Sequence, residues 1–293
     1  MKRLIRQTIQ EIKTTIVNEK SKFKATVIDV VRGRGKNHWL DDECSENEST
    51  ECYEGDLLNG KRHGKGEMLW ANGDYYDGQW QNGERHGKGE MLWANGEYYD
   101  GQWFNDKRHG TGRFTWVGGD YYDGQWLNDI KQGKGKLVYA GVSYDGQWFN
   151  DMRHGDGESI YPDGEIYVGA WSEGYRHGIG TNTWASGDSY EGQWFFDKRH
   201  GTGTLTWADG EYYEGEWRDD KQNGKGKNVL ATGESYKGEW KDGKRNGKGK
   251  NKYPNGDSYK GEWKDNMRHG EGKYTYANGK KETGRWENDK KVT

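Results

Sequence analysis

A six-residue phrase returns along this chain at a nearly constant interval: YYDGQW at 75–80, 98–103 and 121–126, then SYDGQW, IYVGAW, SYEGQW, YYEGEW and, twice, SYKGEW. Aligned on their Tyr, the copies stand at Tyr53, Tyr76, Tyr99, Tyr122, Tyr144, Tyr167, Tyr190, Tyr213, Tyr236 and Tyr259; every step is 23 residues except the 22 from Tyr122 to Tyr144. Gly follows each Tyr by two places and Trp follows that Gly by two, from Trp80 to Trp286; the first copy has Leu57 for the Trp and the last has Glu282 for the Tyr. A fixed period of this length marks a stack of small units in which each buries its apolar face against its neighbours, and deviant end copies behave as caps.

Spacing by two is the periodicity of a strand, whose side chains alternate between faces. Tyr76, Gly78 and Trp80 share one face, Asp77 and Gln79 the other; in GKGEMLWANG the same logic groups Gly89, Met91 and Trp93 against Glu90 and Leu92. Each unit therefore reads as one β-hairpin. The Asn-Gly pairs read as two-residue turns into the following unit, and segments such as QNGERHG and FNDKRHG as longer loops inside the unit. The expected fold is all-β, an elongated single-layer array of about twenty antiparallel strands. Strands lie ~4.8 Å apart, so ten hairpins predict a rod of roughly 100 Å. Hydrophobic residues are only 30% of the chain, but 16 Trp and 20 Tyr concentrate the apolar surface in rings. A Gly two residues from a ring leaves a flat site for it to lie on.

The Tyr-x-Gly-x-Trp columns and the Gly-x-Gly pairs, from Gly64/Gly66 to Gly270/Gly272, resemble the MORN (membrane occupation and recognition nexus) repeat over about residues 53–289. The resemblance implies a twisted array of hairpins with a groove along one face, and scaffolding roles, several of them cytoskeletal or ciliary; the KRHG-x-G segments look closest to the radial-spoke-head type. It makes Tyr99, Trp103, Tyr122, Trp126, Tyr144, Trp148, Tyr167, Trp171, Tyr190, Trp194, Tyr213 and Trp217 the candidate lining of a partner-binding groove, since such rings dominate binding hot spots. No segment large enough for the catalytic domains fused to some family members is left over.

The formal net charge is −3, which argues against a general nucleic-acid binder. Residues 1–36 carry ten Lys/Arg against three Asp/Glu and residues 213–293 twenty against fourteen, so the chain is polarised around an acidic middle. Residues 1–50 form a non-repeat segment ahead of the array at 51–293. In it, Leu4, Ile5, Ile9, Ile12 and Ile16 recur at helical spacing beside Lys2, Arg3, Arg6 and Lys13, followed by the acidic linker DDECSENESTEC. That basic amphipathic helix is expected to cap the first hairpin, to dock on a partner or to lie on a membrane. Cys44 and Cys52 match neither a disulfide framework nor a metal motif and are expected as reduced thiols. No signal-peptide core or long apolar run is present, so the expected setting is cytoplasmic.

His63, His86, His109, His154, His177, His200 and His269 occupy one position of the repeat. Equivalent residues roughly 10 Å apart cannot share one zinc ion with bonds of ~2 Å, so these are expected to hydrogen-bond loop backbone, as are Gln132, Asn223 and Asn246 in their place. The adjoining Arg62, Arg85, Arg108, Arg153, Arg176, Arg199, Arg245 and Arg268, and the acidic row beginning at Asp77 and Asp100, are expected as a solvated face. No catalytic motif is present and no metal or cofactor is expected. The function read from the sequence is a non-enzymatic scaffold that binds a helix or extended peptide; the alternatives are a peripheral membrane tether and self-association through the terminal hairpins.

Overall fold

The structure, a computed structural model, describes residues 51–292; the helix expected near the N-terminus lies outside them. The described residues divide into two compact units, the first ending at Met152 and the second beginning at Arg153. The strands of the first are β1 (Cys52–Leu58), β2 (Lys61–Leu69), β3 (Tyr75–Gln81), β4 (Glu84–Leu92), β5 (Tyr98–Phe104), β6 (Lys107–Thr115), β7 (Tyr121–Leu127), β8 (Ile130–Tyr139) and β9 (Val142–Phe149). Those of the second, starting at the boundary, are β10 (Met152–Ile160), β11 (Ile166–Ser172), β12 (Tyr175–Thr183), β13 (Ser189–Phe195), β14 (Lys198–Thr206), β15 (Tyr212–Arg218), β16 (Lys221–Val229), β17 (Ser235–Lys241), β18 (Lys244–Lys252), β19 (Ser258–Lys264), β20 (Met267–Thr275), β21 (Lys281–Glu287) and β22 (Lys290–Lys291). Within each unit every strand pairs antiparallel with the next in sequence. The described residues are all-β, a succession of hairpins without a helix.

Alternation places the faces as the sequence predicts. In β3, Tyr76 and Trp80 are buried while Asp77 and Gln79 are exposed. Gly78 of β3 stands opposite Gly89 of β4, and a Cβ on Gly89 would lie 2.6 Å from Tyr76 Cε2, so the Tyr ring rests directly on the glycine pair. The same pairing of Gly with Gly recurs at Gly192–Gly203 beneath Tyr190 and Gly215–Gly226 beneath Tyr213.

Both kinds of turn are the reverse of the expectation. The tight two-residue turn lies inside the unit: Asn82 and Gly83 have φ of 53° and 95°, and Asn105 and Asp106 of 48° and 64°, the left-handed pair that suits a right-twisted hairpin. The Asn-Gly pair instead sits in a five-residue connection. Gly96 N donates to Trp93 O, Trp93 N donates to Glu97 O, and only Gly96 of the pair is left-handed; this is a turn closed by a glycine bulge. The ERHG and KRHG segments are accordingly strand, not loop. The single 22-residue step has the same origin. Between β8 and β9 the connection is Ala140–Gly141, both left-handed, with each flanking strand one residue longer than its counterparts; two residues replace five while the strands return two.

Cys52 is disulfide-bonded, against the expectation of a reduced thiol. The chain's other cysteine, Cys44, lies outside the described residues.

Candidate functional site: a glycine-floored groove

In a unit such as 190–212 three side chains hold the sheet in shape; the first unit has Leu57 for the Trp, and the unit at 167–189 has Ala170 where the others carry Gln, Glu or Asp. The Tyr hydroxyl donates to the carbonyl three residues on, as Tyr190 does to Gln193 at 3.0 Å and Tyr213 to Glu216 at 3.0 Å. That carbonyl belongs to a bulge, where the register slips after Gly192 and Gly215. The bulge leaves ladder donors without backbone partners, and the residue before the Trp supplies an acceptor: Gln193 Oε1 takes the Thr202 N–H at 2.8 Å and Glu216 Oε1 the Lys225 N–H at 2.8 Å. The Trp indole then crosses to the preceding hairpin, Trp194 Nε1 donating to Gly180 O and Trp217 Nε1 to Gly203 O. Tyr76, Tyr99, Tyr122, Tyr167, Tyr190, Tyr213, Tyr236 and Tyr259 each meet two indoles edge-on, their own and that of the next unit; for Tyr190 the centroids lie 5.1 Å from Trp194 and 5.5 Å from Trp217.

The rings expected to line a groove are therefore the core, and this corrects their assignment as a binding surface. Tyr99, Tyr122, Tyr144, Tyr167, Tyr190 and Tyr213 are at most 1% exposed, and Trp103, Trp126, Trp148, Trp171, Trp194 and Trp217 at most 5%. Their polar atoms are committed to the backbone, and burial holds the phenols of Tyr190 and Tyr213 well above the usual tyrosine range. Hot-spot chemistry made these rings attractive, but their own hairpins use it.

The Arg row is likewise not a solvated face. Arg199 is buried to about four-fifths; its guanidinium lies 4.5 Å over the Trp217 ring, and its Nε donates to Asp220 Oδ1 at 3.0 Å. Arg85, Arg108, Arg176 and Arg268 repeat the arrangement on Asp106, Asp129, Asp197 and Asp289. Each Arg thus fastens its own hairpin to the turn and indole of the next. The histidines lie in strands, with the Nδ1 atoms of His63, His86, His109, His177, His200 and His269 buried without a hydrogen-bond partner and rings such as His200 against Phe195. Gln132 and Asn223, in equivalent places, do bond turn backbone. Among the described residues no cluster of three or more His, Cys, Asp or Glu could hold a metal.

The groove lies on the opposite face. In the second unit it is an open trough of about 850 Å³ running over β12–β18. Its floor is backbone: Gly192 with Gly203, Gly215 with Gly226, and Gly238, their other side closed by Tyr rings. Its walls are the residues between the glycines and those following each Tyr, including Glu191, Thr202, Thr204, Glu214, Lys225 and Lys237. Cross-strand register sets these in file, Thr181 opposite Glu191, then Thr204, Glu214, Lys227 and Lys237. The wall is neutral to acidic up to Glu214 and basic from Lys227. Lys237 and Lys260 stand where the acidic row begun by Asp77 and Asp100 would place carboxylates, and the lysines of the alternate strands join them only through the register. The Gly-to-Gly pairing was the signal that would have brought the two sets together.

The family model for the MORN repeat matches residues 53–75, 76–98, 99–121, 122–141, 144–166, 167–189, 190–212, 213–234, 236–258 and 259–281. No curated protein matches the chain. Among solved structures, the TCP10 domain of Danio rerio CPAP in complex with a peptide of Danio rerio STIL is 10% identical, covering 81% of this chain and 100% of that one at a TM-score of 0.39. The TCP domain of Drosophila melanogaster SAS-4 (dCPAP), in complex with a proline-rich motif of dSTIL, is 13% identical and covers 61% and 85% at 0.32. Scores this low carry nothing over to this chain.

Proposed function

The chain belongs to the MORN repeat family, and from that premise we propose that it is a non-enzymatic scaffold that binds a protein partner, a helix or extended peptide, in the groove of its second unit. One observation carries the reading: a trough floored by side-chain-free backbone, into which a partner can settle close to the sheet. Its walls are polar and exposed while the apolar rings face away, so recognition rests on charge pattern and shape. The carboxylates recur unit by unit, unlike the single arrangement that catalysis requires. A cytoplasmic setting in a cytoskeletal or ciliary assembly is part of the proposal and is supported by the sequence resemblance alone.

Filling the trough tests it. Thr204 lies on the wall between Glu191 and Glu214, so Thr204→Trp should block the groove and leave the buried rings untouched. Full-length protein should capture a discrete protein from native extract, and the variant, with an unchanged far-UV spectrum, should not. Equal capture by both removes the groove from the function.

A further inference from the structure

Beyond Glu214 the wall becomes a ladder of one charge. Lys227 faces Lys237, Lys237 faces Lys250, Lys250 faces Lys260 and Lys260 faces Lys273, on five consecutive strands from β16 to β20. Four of these side chains are exposed and Lys227 is half-buried, its ammonium donating to the Tyr212 hydroxyl. Like charges directly opposite each other destabilise a sheet, and here four such pairs follow in succession. Among the described residues the only acid opposite a member of the ladder is Glu214, across from Lys227. The neighbouring column does not compensate, because Lys225 faces Glu239 and Lys248 faces Glu262, pairs that sum to zero. Opposite charge must come from outside the sheet for the ladder to be neutralised.

The spacing selects the kind of partner. Adjacent strands stand ~4.8 Å apart, and along an α-helix the positions i, i+3 or i+4 and i+7 advance about 5 Å per step on one face. A helix laid across the strands therefore presents one residue of its stripe to each lysine. An extended peptide repeats on one face every ~6.7 Å and falls out of step within about three contacts. We propose, resting on the reading of this face as a protein-binding groove, that Lys227, Lys237, Lys250, Lys260 and Lys273 seat a partner helix with an acidic stripe of one Asp or Glu every three or four residues. Lys227 and Lys237 line the trough, the other three follow in the same file, and the Gly249–Gly261 and Gly261–Gly272 pairs beside them let the helix approach.

The test uses the full chain and two synthetic Ala/Gln-based helices of about 20 residues, identical in composition, one with five Glu along a single face and the other with the same Glu spread around the helix. Fluorescence anisotropy at low salt should show the striped helix binding at least about tenfold more tightly than its isomer. Substituting Lys237→Gln, Lys250→Gln and Lys260→Gln together should weaken the striped helix by about tenfold or more, with a thermal midpoint unchanged or raised because repulsion is relieved. The corresponding triple Glu variant should prefer a Lys-striped helix. Equal binding of the two isomers, or indifference to the triple substitution, overturns the proposal. So does lysine-dependent binding of phosphatidylserine vesicles with no binding of either helix, which would make the ladder a lipid contact. If Thr204→Trp abolishes partner capture while the triple Gln variant does not, the groove reading stands and the ladder proposal alone falls.

Discussion

At the scale of single residues, the repeat is a device for letting large rings touch backbone. A Cβ on Gly203 would sit 2.5 Å from Tyr190 Cζ, and the ring, at 0% exposure, has nowhere to retreat. Gly203→Ala should therefore cost about 1–3 kcal/mol, the range for overpacking a tight core, whereas Tyr190→Phe, which removes only the bond to Gln193 O, should cost about 1 kcal/mol. Chemical denaturation of both variants measures the order. The same burial gives an alkaline limit. Burial raises Tyr259 to about 12 and its counterparts further, while an unfolded tyrosine ionises near 10. Between those values the unfolded chain gives up protons that the native chain keeps, so the tyrosines' contribution to stability is fully present below about pH 10 and is lost as pH rises toward 12. A pH series of denaturation midpoints, with tyrosinate absorbance as a second readout, should show the two falling together; buried tyrosines that titrate near 10 in a still-folded chain would contradict it. The identities of these rings and glycines, and their sharing of a face, were legible in the sequence. That rings this size are wholly enclosed was not, because the second indole on a Tyr such as Tyr190 comes from the next unit.

At the scale of the hairpin, one turn residue does most of the fastening. Asp220 lies at φ 66°; its N–H donates to Arg199 O, and its carboxylate accepts from both the backbone N–H and Nε of Arg199. The ion pair alone contributes little, since one partner is half-exposed. The amide bond and the left-handed backbone account for the rest, so Asp220→Ala should lose about 1–2 kcal/mol. Asp220→Gly, which other units use at this place as Gly83, Gly174 and Gly243, should lose less. Thermal unfolding of the two variants ranks them, and a more stable Ala variant would refute the account. Turn chemistry was the least legible part of the sequence. Asn-Gly is a strong hairpin signal in isolation, but here one Asn-Gly serves the tight turn at 82–83 and another a bulged connection at 95–96, and only the length of the paired strands separates the two.

At the scale of the molecule, contacts run between neighbours in sequence, so stability should behave as a sum over units and their interfaces. Excising residues 190–212, one full period, brings Ser189 to Tyr213 and restores every Tyr–Gly–Trp column. The shortened chain should keep its β spectrum and its buried indoles, with lower stability. Removing one residue more reverses the faces of the strand that follows and should expose Trp fluorescence to solvent. If both deletions behave alike, the nearest-neighbour picture is wrong. The candidate site was half legible on this scale. The charge polarity of the chain was plain from composition, but its gathering of Lys227, Lys237, Lys250, Lys260 and Lys273 into one file depends on strand register.

The sequence alone determined the repeat, the strand periodicity and the hairpin as its unit, because a period of two and rings at fixed offsets leave one way to bury them. Only the tertiary structure decided which face is core and which is groove, since a ring beside a glycine suits either role until the neighbouring hairpin closes over it.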